Sequence, residues 1–159
     1  MGYQLQGVIA TRPVLRSLAG TVEEACIVPL AGHLCLLPMT DALFDAVTVA
    51  GAAGLDGFWK APAGFGDALA ACSVGGPVTY VEADYFGGRG TQSAQVWDGG
   101  RVVLGLLHLA EGEPTPAGGS PISRALRRLG VAKGEHFDEF DAVGLGRHRE
   151  TGGWLPSTG

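Results

Sequence analysis

The sequence predicts an α+β fold: a single globular domain over residues 1–159, with a mainly antiparallel sheet of about five strands and three or four helices packed mostly on one face. Three observations predict it. Pro77 to Leu109 reads as three consecutive strands joined by two glycine-rich turns. Thr40-Asp41 and Ser120-Pro121 carry helix-start chemistry ahead of apolar stripes. A chain of 159 residues buries roughly 70% of its unfolded surface on folding, enough for one core without disulfide or metal.

From the N-terminus, Tyr3 to Ala10 forms a strand with Tyr3, Leu5 and Ile9 on one face. Ala25 to Leu30 and His33 to Pro38 are short apolar runs about Ala31-Gly32, a hairpin or a sharply bent strand. The first helix starts at the N-cap Thr40. Leu43, Phe44 and Val47 are its stripe, Met39 and Phe44 its hydrophobic staple, and Gly51 and Gly54 its end. Residues 52–66 make a Gly/Ala/Pro loop carrying Phe58, Trp59 and Phe65, and Gly66 to Ser73 a second short helix.

In the meander that follows, Asp98-Gly99-Gly100 supplies the second turn, because glycine accepts the positive φ that tight hairpins require. Val102 to Leu109 is almost wholly apolar, which predicts a central strand covered on both faces. Glu111 to Gly119 is a Pro/Gly loop too short to separate two cores. Ser120-Pro121 opens a helix with Ile122, Leu126 and Leu129 buried and Gly130 at C′. An acidic helix over Glu135 to Ala142 turns Phe137 and Phe140 inward. The segment 144–159 is irregular and pinned by Trp154. The expected core includes Val81, Val96, Val103, Leu104, Leu106, Leu107, Leu126, Leu129 and Phe140.

Composition narrows the function classes. A net charge of −5 argues against a general nucleic-acid binder and suits a basic protein partner. Arginine outnumbers lysine nine to two, a bias that accompanies GC-rich bacterial genomes. Cys26, Cys35 and Cys72 are widely spaced among apolar neighbours and read as buried reduced thiols. No signal peptide and no apolar run of about 18 residues is visible, so a cytoplasmic location away from membranes is expected.

Most candidate functional residues lie in the first hairpin of the meander. Glu82 and Asp84, two apart on one strand, point to the same face, where paired carboxylates can be simply solvated, recognise a basic partner, or act in acid–base or metal chemistry. Gly87-Gly88-Arg89-Gly90 could offer backbone N–H groups and a guanidinium to phosphate. A strand follows it, however, where a phosphate loop should open a helix, so it reads as a hairpin tip that could serve recognition. Tyr85, Phe86 and Trp97 are candidate apolar anchors. Arg124, Arg127 and Arg128 can pair with Asp138, Glu139 and Asp141, or one of the two patches can face a partner.

His33-x-Cys35 lacks the further ligands that zinc requires, and Ser73, Ser93 and Cys72 lack a nucleophile elbow, so no cofactor or metal is expected. The partner-binding set is Glu82, Asp84, Tyr85, Arg89, Trp97, Asp138 and Glu139. The alternative is a small enzyme or ligand-binding domain whose polar site at the sheet edge uses Glu82, Asp84 and Arg89, with His108 as a further member.

The runs YVEADYFGGRGTQSAQVW, SPISRALRRLGV and DEFDAVGLGRHR, within residues 77–149, resemble small uncharacterised actinobacterial proteins of the toxin-immunity type. The resemblance implies a non-enzymatic cytoplasmic binding protein with one specific partner, a toxin domain that it blocks.

Overall fold

The computed structural model describes residues 2–87 and 89–156. In chain order the elements are β1 (Gly2–Thr11), α1 (Arg12–Ala19), β2 (Val28–Pro29), β3 (Leu34–Pro38), α2 (Asp41–Val47), α3 (Phe65–Cys72), β4 (Val78–Phe86), β5 (Arg89–Asp98), β6 (Arg101–Leu109), α4 (Pro121–Arg128) and α5 (Glu139–Ala142). The fold is α+β: the six strands make one antiparallel sheet, ordered β2-β3-β1-β4-β5-β6.

Alternation along the strands sends each residue set into its own core. Leu5 and Ile9 of β1, Val81 and Ala83 of β4, and Ala94 and Val96 of β5 pack with Ile122, Ala125 and Leu126 of α4. Val8, Ala10, Val78, Tyr80 and Trp97 face the opposite way, against α1, α2 and α3. Helices therefore cover both faces, where the sequence suggested mostly one. The helix α1 has a readable start in Arg12-Pro13, since proline suits the first turn of a helix, with Val14 and Leu15 as its buried stripe.

Local chemistry fixes several ends where expected. Thr40 Oγ1 accepts from the Leu43 N–H at 3.1 Å, and Ser120 Oγ from the Ser123 N–H at 3.3 Å, each capping its helix. Gly99 and Gly100 adopt φ of 64° and 89°, the two positive values that join β5 to β6. The helix α2 stops at Val47, short of Gly51, with Thr48 as its C-cap.

Further sequence expectations are corrected. The strand β6 is an edge strand, and the centre of the sheet belongs to β1 and β4. Two bulges put additional residues on β6, so its alternation slips and apolar side chains are needed at successive positions. Leu106 is consequently exposed, and Val103, Leu104 and Leu107 only half-buried. The acidic helix spans only Glu139–Ala142, capped by Asp138 Oδ1 accepting from the Asp141 N–H at 2.8 Å. Phe137 thus precedes the helix and is 89% exposed, while Phe140 is half-buried against the core.

The C-terminal segment completes the sheet. Where β3 ends, the Gln4 N–H donates to the Arg149 carbonyl at 2.7 Å. The Gln6 N–H donates to Thr151 Oγ1 at 3.1 Å, and that hydroxyl donates to Gln6 Oε1 at 2.9 Å. Trp154 closes the adjoining core. T151A should therefore lower stability by about 2 kcal/mol, because it leaves two buried polar groups of Gln6 unsatisfied. Urea denaturation checks this, with Thr151→Ser expected to stay near wild type. Among the described residues no helix is long and apolar enough to cross a membrane.

Candidate functional site

Along one face of β4 the side chains pass from core to solvent: Val78, Tyr80 and Glu82 are buried, whereas Asp84 and Phe86 are exposed. Glu82 and Asp84 share that face, as strand alternation requires, but their environments differ completely. Glu82 is 2% exposed and accepts the main-chain N–H groups of Trp59 at 2.8 Å and Lys60 at 2.7 Å. Both come from the loop between α2 and α3. The same loop is held by the Tyr80 hydroxyl donating to the Lys60 carbonyl, and by Lys60 Nζ donating to Asp41. Burial pushes the Glu82 carboxyl above its ordinary range, against the two N–H groups and the Lys60 charge.

Two further candidates also lie inside. Trp97 packs in the core under α3, and Glu139 is buried with its carboxylate accepting from Arg127 Nε at 3.1 Å. Burial opposes the charge of Glu139, but Arg127, a main-chain N–H and Lys133 together hold its pKa below the ordinary value. Glu82, Trp97 and Glu139 are thus structural members in this state and present little surface to a partner. Arg127–Glu139 is one of the ion pairs expected, whereas Arg128 Nη2 instead lies 3.9 Å from Asp98, and Asp141 instead engages His136 Nδ1 at 3.2 Å.

Asp84, Tyr85, Arg89 and Asp138 are brought together. They surround the end of the sheet where β1 begins and β4 ends, in three adjoining depressions. On one side Tyr3, Tyr85 and Phe140 wall a cleft of about 360 Å³ that also holds Gln92, Asp138 and Arg149. The register that pairs Tyr3 with Tyr85 places both rings there.

The cleft is braced. The Tyr3 hydroxyl donates to the Leu145 carbonyl at 2.8 Å, and its ring meets Phe140 at 5.5 Å between centroids. Gln92 Oε1 accepts from the Ile122 N–H at 3.0 Å. Burial raises the Tyr85 pKa, and the Gln92 side chain opposes the shift. Around Phe86, which is 75% exposed, the rim carries the carboxylates of Asp84, Glu111 and Glu150. Among the described residues lining these depressions, Arg89 and Arg149 are the two cations. The arrangement offers a protruding aromatic anchor, an aromatic-walled cleft and an excess of negative charge.

Asp84, Tyr85, Phe86 and Arg89 lie on one hairpin and are legible together in the sequence, whereas Tyr3, Arg149, Glu111 and Glu150 are not. Nothing local marks those four, since strand register and the path of the C-terminal segment bring them in.

Arg89 and Gly90 of the glycine-rich stretch already belong to β5, and Gly88 lies outside the described residues. His108 Nδ1 is 2.8 Å from Ser93 Oγ, in register with Glu82 across β5. The Glu82 oxygens are occupied by main-chain N–H groups, and Glu82, Asp84, Arg89 and His108 do not converge on one deep cavity. Cys35 and Cys72 are buried and Cys26 half-buried, all as free thiols, and burial pushes the Cys72 thiol up to about 11. Among the described residues no three His, Cys, Asp or Glu are grouped to hold a metal ion. Comparison with known protein families, curated proteins and solved structures finds no match.

Proposed function

We propose that this protein is a non-enzymatic binding protein that docks a basic protein partner against the acidic, aromatic end of its sheet. The carrying observation is Phe86, a large apolar side chain held out at the end of a strand, around which the carboxylates of Asp84, Glu111 and Glu150 outnumber the guanidinium groups of Arg89 and Arg149. An aromatic anchor within complementary charge is how protein interfaces concentrate affinity and steer encounter. The aromatic-walled cleft beside it, with Asp138 among its lining residues, suits a cationic side chain of the partner. The resemblance to toxin-immunity proteins supports the finer reading, that the partner is a basic toxin domain whose active site this surface blocks.

A photo-crosslinking residue placed at Phe86 in the producing cell should capture one basic protein, and the same residue placed at the exposed Trp59 should not. F86A should then weaken the purified complex by about tenfold or more, and the complex should loosen further as salt rises. An adduct that forms equally from both positions, or an affinity unmoved by F86A, overturns the proposal.

A further inference from the structure

The two edges of the sheet are built differently. At one end β2 is two residues long, Pro29 has no N–H, and the Pro29 carbonyl accepts from Arg147 Nη2 at 2.9 Å. That edge is blunted. At the other end β6 runs for nine residues without proline or lysine. Main-chain pairing alternates across the sheet from Gln4, which donates away from β4, and from the tight turn joining Asp98 to Arg101. Leu104, Leu107 and Leu109 therefore turn their main-chain groups towards β5, while those of Val102 and His108 point outward. The outward groups of Val102 and His108 have no partner among the described residues. Past the strand, the Ala110 N–H is taken up by Glu113 Oε1 at 2.8 Å, which ends the open stretch. Beside this edge Val102 and Leu106 are 45% and 41% exposed.

We propose that the β6 edge is a self-association surface, on which β6 of a second copy pairs antiparallel about a two-fold axis at Gly105 and joins the two sheets. A row of unpaired N–H and C=O groups accepts another strand, and charge selects which one. The only fully charged residue in β6 is Arg101 at its start, and Glu111 lies just beyond its end. Antiparallel self-pairing sets Arg101 opposite Leu109 of the other copy and diagonal to that copy's Glu111, whereas parallel pairing would stack like charges. It also sets the outward-facing Val102 opposite the outward-facing His108. The register shift between Leu104 and Leu107 falls at this axis. The pairing is isologous, so it closes at a dimer.

Sedimentation velocity on the full chain should show a dimer fraction that grows over about a hundredfold range of concentration. V102K/L106K, which places charge on two exposed positions, should stay monomeric across that range. R101E should weaken the dimer several-fold, and R101E/E111R should restore it. Amide exchange on the unmodified chain gives a reading independent of any variant: the Val102 and His108 N–H groups should exchange more slowly as concentration rises. A wild-type chain that remains monomeric throughout, a lysine variant that dimerises as tightly as wild type, or β6 amides protected only by a different protein each overturns the proposal.

Discussion

E82A should lower the melting temperature by about 10 °C, a loss of roughly 3 kcal/mol in a chain of this length. The expectation rests on what Glu82 holds. Its two oxygens accept consecutive main-chain N–H groups, from Trp59 and Lys60, and no other group of the described residues bonds to either. Alanine leaves both donors without an acceptor against a covered sheet face. The alternative open to the chain is to let the loop lift, which exposes Tyr80 and the Phe58 ring packed edge-on to it at 5.0 Å. E82Q keeps one acceptor but turns an amide N–H₂ towards a main-chain N–H, so about half the loss should remain. D84A, two residues along on the same face but exposed, should stay within about 0.5 kcal/mol of wild type. Thermal unfolding followed by circular dichroism reads the stability, and amide exchange at Trp59 and Lys60 reads the loop. A melting temperature unchanged in E82A would contradict this role of Glu82 in holding the loop.

The same carboxylate sets a pH dependence whose sign is opposite to that of ordinary surface acids. Burial raises its pKa, so just above the ordinary value of 4.5 the folded chain holds a proton that the unfolded chain has released. Stability supplied by that proton is present at low pH and is lost as pH rises through the folded value. Glu139 works in the other direction, because its pKa is lowered and its contribution is lost as pH falls. Comparing wild type with E82Q isolates the first effect. The advantage of wild type should grow as pH falls from neutral towards 4.5, and an advantage that shrank instead would contradict the assigned shift.

Much of the fold is legible because its determinants are local. Thr40 and Ser120 are caps wherever they precede an apolar stripe, and Asp98-Gly99-Gly100 is a turn in almost any surroundings. What is not local is misread in an instructive way. The apolar run of β6 reports which faces are covered and says nothing of which edges are paired, so an edge strand with two bulges carries the signature of a central one. The site divides along the same line. Asp84, Tyr85, Phe86 and Arg89 lie close in sequence and stay close in space, whereas Tyr3 and Arg149 reach them only through the pairing of β1 with β4 and with the C-terminal segment. Glu82 shows the limit of alternation. Period two predicts its face correctly, but its burial depends on a loop 22 residues upstream in sequence.

G90A should destabilise the chain by about 3 kcal/mol, the upper part of the range for added volume in a packed region. Gly90 pairs with Tyr85 in the β4–β5 ladder, and a Cβ there would lie 1.9 Å from the Asp84 carbonyl oxygen and 2.6 Å from the Tyr85 Cα. Both are main-chain atoms, so no change of rotamer relieves the overlap and the two strands must part. Gly54→Ala is the matched control, because nothing lies within 4 Å of its Cβ position and its φ is not positive. It should leave the melting temperature close to that of wild type. The separation at Gly90 acts on the segment that presents Asp84, Tyr85, Phe86 and Arg89. The folded fraction of G90A should therefore bind the proposed basic partner more weakly than F86A does, because all four side chains are displaced where F86A removes one. Full affinity in folded G90A would mean that the partner docks elsewhere, and a G90A melting temperature equal to that of Gly54→Ala would mean that the strands at this end of the sheet yield without strain.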